Sequence, residues 1–401
     1  MEIISRTYYA SKLDSWISKG NIIVLVGSRR AGKSYVLKDF IQRHKDEKDT
    51  NIIYIDKEKK DYKDIKSDTE LNEFIEARWE KGKHNYILID EVQDIEGYEK
   101  SVCNWYTEEK TDIIISGSNS KMLSSELSTR LSGRYIEIRV HPLSYIEFLQ
   151  FHSLENNDNS LMLYLTYGGL PGLRRIGIDN DEQVWEYLSS VFNTIMLKDI
   201  IERHSIRNVT FLNNLIEFYA DTTGKLTSAT NVSKYMKSQG ENISSNLVLT
   251  YREFYTEAFL MSAISRYDIH GKRIFESNEK LYWEDLGLRN LKAPGDMESY
   301  IEKLIENVIY KQLEYLGYEI YVGVLMAGEV DFVCKKPGEK IYIQASYVIA
   351  DEDTYKREFG TLERINDNHP KYVISVTPLL KKRDNNGIKH LSLREFLTNG
   401  L

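Results

Sequence analysis

Through residue 140 the chain alternates short β-branched apolar runs with amphipathic stretches. Ile22–Val26, Ile52–Ile55, Tyr86–Ile89, Asp112–Ser116 and Tyr135–Val140 are bounded by turn or charged residues, and each predicts a strand. Between them, Ser34–Gln42 and Leu71–Trp79 carry apolar residues at helical spacing. Strands alternating with helices predict a parallel sheet covered on both faces. After Pro142 the strand pattern stops. Leu143–Phe151, Leu161–Tyr167 and Glu182–Arg203 predict helices, with the Gly/Pro-rich Tyr167–Gly172 as a turn. Phe211–Tyr219, Thr227–Lys237 and Ser244–Leu260 follow as helices, then Ala263–Asp268 and Lys280–Trp283 as a hairpin near His270 and Gly271. Three helices and a hairpin are the order of a winged helix. Beyond an expected boundary at Ala293–Gly295 come a long helix, Met297–Leu316, and strands Glu319–Val324, Glu329–Cys334 and Lys340–Gln344. A helix at Asp353–Asn366 and a strand at Lys371–Val376 complete the pattern.

A length of 401 residues fits two or three domains, and the 41% hydrophobic content supplies their cores. The formal net charge of −8 excludes a protein held on nucleic acid by bulk charge, while leaving room for a local basic patch. Cys103 and Cys334 are too few for a metal cluster and far apart for a disulfide, which points to a reduced, intracellular protein. None of the eight histidines pairs with a cysteine at zinc spacing. The N-terminus has no signal-peptide pattern, and the longest apolar runs fall short of the ~18 residues a membrane helix needs. A cytoplasmic protein without membrane association is expected.

The sharpest chemical signal is Gly27, Ser28, Arg29, Arg30, Ala31, Gly32, Lys33 and Ser34, which fit G-x4-G-K-S between an apolar strand and a helix. Glycines let such a loop wrap phosphates, and its N–H groups converge at the helix N-terminus. Lys33 would neutralise β/γ-phosphate charge, and Ser34 would place its hydroxyl on Mg²⁺. A second apolar strand ends in Asp90-Glu91, which would set Asp90 beside the metal and Glu91 beside an attacking water. Together the motifs imply Mg²⁺-dependent nucleotide hydrolysis. The Asn/Thr-Lys-x-Asp motif of guanine selection is missing from the sequence.

Arg29-Arg30 in the loop, Ile89–Gln93, Ser116–Ser120, Leu131–Tyr135, His141–Phe148 and Tyr167–Gly172 resemble the AAA-type archaeal/bacterial ATPase family with a DUF4143-type C-terminal region. The resemblance implies ATP as the nucleotide and an α/β multidomain chain. Residues 1–141 would form a P-loop AAA+-type parallel sheet and 142–208 a helical lid or connector. Residues 209–292 would form a winged helix, and 293–401 a restriction-endonuclease-like, PD-(D/E)xK-like α/β domain. It also implies that Ser118 or Asn119 contacts the γ-phosphate or the water. Arg130 or Arg134 would serve as an arginine finger, which requires a ring or dimer of the chain.

In the winged-helix segment, Lys234, Lys237, Asn246 and Arg252, with Lys272 and Arg273 in the wing, are the candidates for DNA contact. Glu241, Glu253 and Glu257 dilute that field, so a protein-contact module stays an alternative. In the last domain Glu302, Glu306 and Asp331 resemble the acids of a nuclease core. Gln344 stands where that core has its second strand acid, and Ser346 where it has its lysine. A serine supplies no ammonium, so a folded but inactive nuclease-like domain is expected. The leading reading is an ATPase whose nucleotide state controls the two later domains on DNA. A slow switch or scaffold for a protein partner is the second reading, and an ATP-coupled nuclease the third.

Overall fold

The computed structural model describes residues 3–120, 133–293, 295, 297–326, 328–349, 352–376 and 384–401. Chain contacts divide it into two units, Met1–Pro142 with Glu257–Phe259, and Leu143–Thr256 with Leu260–Leu401.

Unit 1 is built on β1 (Ile22–Val26), β2 (Thr50–Asp56), β3 (His84–Asp90), β4 (Thr111–Gly117) and β5 (Tyr135–Arg139). All pairings are parallel, in the order β2-β3-β4-β1-β5. Every side chain of β1 is buried, as a central parallel strand requires. One face, including Val24, Ile53, Ile87 and Ile115, packs on Leu71, Ile75, Tyr98 and Val102 of the helices Asp68–Glu76 and Tyr98–Tyr106. Fully burying such a side chain stabilises by roughly 1.5–3 kcal/mol. The sequence predicts the first of these helices at Leu71–Trp79. It starts earlier because Ser67 and Glu70 form a capping box that satisfies its free N–H groups. The chain leaves β1 for the far edge and returns through β4, so the carboxyl end of β1 lies at a topological switch point, where open α/β sheets bind ligands.

Unit 2 carries β6 (Leu226–Thr227), β7 (Met261–Asp268), β8 (Arg273–Trp283), β9 (Glu319–Leu325), β10 (Gly328–Lys336), β11 (Glu339–Ser346), β12 (Lys371–Ser375), β13 (Asp384–Asn385) and β14 (Ile388–Ser392). They form one mixed sheet in the order β13-β14-β12-β11-β10-β9-β7-β8-β6. Helices Val209–Asp221, Ala229–Ser238 and Ser245–Glu257 precede the β7–β8 hairpin, and β6 pairs antiparallel with β8. The boundary expected at 293–295 does not interrupt this sheet. Arg266, Tyr267 and Asp268 of β7 pair in parallel with Val322, Gly323 and Val324 of β9, joining the hairpin to the later strands.

The helix Glu352–Glu363 covers one face through Phe359 and Leu362, packed with Val330, Val333, Tyr342 and Val373. On the other face the helix Ile301–Tyr315 brings Tyr310 against Tyr282 and Phe332, with ring centroids 4.6 and 6.5 Å away. The sequence stops at Lys371–Val376, but β14 extends the sheet, and its buried His390 lies 2.8 Å from the Ser375 hydroxyl. The predicted helix 182–203 is α-helical over Asp181–Thr194 and a π-helix over Ile195–Glu202. Neither Cys103 nor Cys334 is joined in a disulfide. Among the described residues no helix is long and apolar enough to cross a membrane.

Asn307 is fully buried. Its Oδ1 accepts from Trp283 N–H at 2.7 Å, and its Nδ2 donates to Trp283 C=O at 3.0 Å. Asn307→Ala strands both backbone groups in the interior, at roughly 1–3 kcal/mol each. The variant should lose on the order of 3 kcal/mol of unfolding free energy in urea denaturation. An unchanged midpoint would show that these bonds do not hold the helix to the sheet.

Candidate functional site

The loop Gly27–Gly32 leaves the carboxyl end of β1 and enters the helix Lys33–His44. Its shape depends on glycine. Gly27 has φ 147°, and a Cβ there would lie 2.2 Å from Val140 O, while Gly32 caps the helix at φ 105°. The buried Arg6 guanidinium ties the loop down, donating to Ala31 O at 3.1 Å, His141 O at 2.8 Å and Pro142 O at 3.3 Å. The N-terminal residues gave no signal for this brace.

Lys33 is buried. Its ammonium donates to Gly27 O at 2.9 Å and Ser28 O at 3.0 Å and stands 3.9 Å from Glu91 Oε1. Arg29 lies 3.7 Å from Glu58, and Arg30 is exposed with a left-handed φ of 67°. The carboxyl end of β3 supplies the acids, and that of β4 supplies the hydroxyl beside them. The Ser116 hydroxyl donates to Asp90 Oδ1 and accepts from Glu91 N–H at 3.1 Å. Burial raises the Asp90 carboxyl above its ordinary range, opposed by hydrogen bonds from Ser116 and Ser34 and reinforced by Glu91 and Asp56. Burial works in the same direction on Glu91, but the Lys33 ammonium, with Gln93, Arg29 and Ser118, holds that carboxyl below its usual range.

Glu91 has φ 54°, a left-handed conformation that costs a non-glycine residue roughly 1–2 kcal/mol. The turn bends the chain sharply after β3, and Gln93 Nε2 donates back to Glu91 Oε2. Ser118 and Asn119 are both buried just past β4. The structure thus brings together the loop, Lys33, Ser34, Asp90, Glu91 and Ser118. Sequence reasoning missed Arg6, Gln93 and Ser116. A hydroxyl at the end of the strand beside the acidic one was the available signal for Ser116.

The donor set fits a magnesium ion. Ser34 and Asp90 are hard oxygen donors, and the buried Asp90 Oδ2 has no hydrogen-bond partner among the described residues. Arg134 is not part of this site. It is exposed, and its carbonyl accepts from Ile22 N–H at 2.9 Å, at the amino end of β1 and away from the loop. Arg130 lies outside the described residues.

In unit 2, Lys234, Lys237, Asn246 and Lys272 are exposed. Arg252, also in the expected DNA-contact set, is only partly exposed and is ion-paired with Glu279 of β8. Arg273 stands 3.6 Å from Asp268. Of the nuclease-like residues, Glu302 points to solvent, while Glu306 and Asp331 meet around Lys280, which the sequence places only at the start of a strand. Lys280 Nζ lies 2.8 Å from Glu306 Oε1, 2.8 Å from Glu329 Oε1 and 3.3 Å from Asp331 Oδ1. Gln344 Oε1 accepts from Asp331 N–H at 3.4 Å. Burial disfavours charge on Lys280, but the three carboxylates more than offset it and hold the ammonium protonated. Burial raises the Glu306 carboxyl to about 7 despite that ammonium.

Residues 19–149 match a protein family described as an AAA domain, and residues 158–297 match a domain of unknown function, DUF8612. The second match replaces the expected DUF4143-type region. An uncharacterized protein of Haemophilus influenzae is 33% identical over 382 residues, 93% of each chain. An uncharacterized protein of Methanocaldococcus jannaschii is 28% identical over 361 residues, 86% of this chain and 78% of that one. A Walker-type ATPase of Pyrococcus abyssi has a solved structure that covers 72% of this chain and 95% of its own, at 14% identity and a TM-score of 0.49.

Ser116→Ala removes the hydrogen bond on the Asp90 carboxylate and the acceptor of the Glu91 backbone N–H. Hydrogen bonds to charged groups contribute ~1.5–3 kcal/mol, so the Mg²⁺ concentration supporting half-maximal nucleotide binding should rise about tenfold or more. An unchanged Mg²⁺ requirement would detach Ser116 from the site.

Proposed function

We propose that the chain, which belongs to the family of the Haemophilus influenzae relative and carries an AAA domain, is a Mg²⁺-dependent ATPase. The observation that carries this reading is the Lys33 ammonium, held on two carbonyls of its own loop and facing Glu91 at the carboxyl end of the sheet. Carbonyl hydrogen bonds of this kind are exchangeable. When phosphates enter, Lys33 swaps Gly27 O and Ser28 O for β- and γ-phosphate oxygens, and the loop N–H groups take the remaining charge. Ser34 and Asp90 would hold Mg²⁺, whose charge offsets that of the phosphates. Glu91, ionised through Lys33, is placed to orient water and accept its proton, with Gln93 and Ser118 fixing its carboxylate. Asn119, buried beside Ser118, is the further candidate for contact with the γ-phosphate. ATP rather than another nucleotide rests on the family resemblance.

The nucleotide state would be read out by unit 2, and DNA is the partner we favour. The order helix, β6, two helices and the β7–β8 hairpin, with β6 on β8, supports a winged helix. Lys234, Lys237, Asn246, Lys272 and Arg273 are among its solvent-facing polar groups. The pairing of Arg252 with Glu279 favours the second reading, a nucleotide switch on a protein partner. Arg134, exposed at the opposite end of β1, would serve as an arginine finger only toward a second copy of the chain.

Glu91→Gln should keep ATP binding and lower turnover by roughly 10²–10⁴-fold, the usual contribution of a general base. Unchanged turnover in the variant sinks the assigned role. Turnover stimulated by duplex DNA at low salt, with stimulation weakened in Lys272→Glu, supports the DNA reading. A slow rate indifferent to DNA supports the protein-partner switch.

A further inference from the structure

The acidic cluster of unit 2 already contains a cation, supplied by its own chain. Lys280 comes from β8, Glu306 from the helix Ile301–Tyr315, and Glu329 and Asp331 from β10. The Lys280 side chain is 5% exposed, and its ammonium touches a carboxylate oxygen of all three acids. Two of the acids, Glu306 and Asp331, are also held from outside. The Tyr282 hydroxyl donates to Glu306 Oε1 at 2.6 Å, and Ala345 N–H donates to Asp331 Oδ2 at 3.0 Å. A Cβ at Gly224 would come within 3.0 Å of Glu306 Oε2, so backbone closes that side.

A nuclease-like core would place a divalent cation among Glu306, Asp331 and the residue at Gln344. The residues here do not fit one. The spacings of 2.8, 2.8 and 3.3 Å are those of N–H···O bonds. Mg²⁺ needs oxygens at ~2.0–2.1 Å and Ca²⁺ at ~2.3–2.6 Å. The centre is filled by a covalently tethered positive charge, and a second cation brought beside it would be repelled at close range.

We propose that the Lys280 ammonium is the resident cation of this cluster, standing where a divalent metal would otherwise sit, and that it keeps the C-terminal part of unit 2 metal-free. One lysine then accounts for two features. It offsets the charge of the three acids, and it ties the β7–β8 hairpin to β10 and to the helix Ile301–Tyr315. The inference rests on the cluster alone and stands or falls apart from the nucleotide reading.

The test is Mn²⁺ binding to the full chain without nucleotide, followed by the electron paramagnetic resonance signal of free Mn²⁺. Wild type and Asp331→Asn should bind Mn²⁺ equally. Lys280→Met should gain one Mn²⁺ per chain, and Lys280→Met/Asp331→Asn should lose it again. Lys280→Arg, which keeps the positive charge, should show no gain. A folded Lys280→Met that gains no Mn²⁺ overturns the proposal, as does wild-type binding that disappears in Asp331→Asn. Should Lys280→Met fail to fold by circular dichroism, the wild-type and Asp331→Asn pair decides alone. Equal binding supports the tethered cation, and a difference refutes it.

Discussion

A lysine that must stay charged while 4% exposed organises unit 1. Withdrawing an ammonium from water costs several kcal/mol unless hydrogen bonds and an opposite charge offset it. Gly27 O and Ser28 O supply the bonds, and Glu91 supplies the charge. The rest of the site follows. The loop can turn its carbonyls onto Lys33 because Gly27 passes the Val140 backbone at a distance no side chain permits. Glu91 accepts a left-handed backbone to reach the ammonium, and Ser116 secures both acids from the neighbouring strand.

Unit 2 uses the same residue type to the opposite end. Lys33 faces the Glu91 carboxylate at 3.9 Å and donates to the neutral carbonyls of Gly27 and Ser28, which a phosphate outcompetes. Lys280 touches three carboxylates within 3.3 Å, and an anionic ligand would have to displace all of them. The first arrangement is poised for exchange and the second is closed.

The loop of unit 1 was legible because a phosphate loop restricts residue type at a few fixed positions. Glycine is needed for positive φ, lysine for charge and serine for a metal-facing hydroxyl, and all three sit at fixed spacing in Gly27–Ser34. The five strands were legible for a related reason, since a parallel sheet buried on both faces demands unbroken β-branched runs. What stayed hidden acts through tertiary contacts. Arg6 reaches Ala31 and His141 from the chain's beginning, and its sequence neighbours carry no trace of that. The helix Thr7–Trp16 buries only Tyr9, Ala10 and Leu13, too sparse a stripe to stand out. Lys280 reads as a polar residue entering a strand, and the exposed Glu302 reads as well as Glu306. Only the convergence of Lys280 with Glu306, Glu329 and Asp331 in the fold separates them.

The central claim is that the Lys33 site takes a nucleoside triphosphate with magnesium. Calorimetric titration of Mg-ATP into wild type and into Lys33→Ala tests it most directly. The account predicts saturable binding of one nucleotide per chain in wild type and no measurable heat of binding in the variant. Equal binding by both chains, or none by a folded wild type, would contradict it.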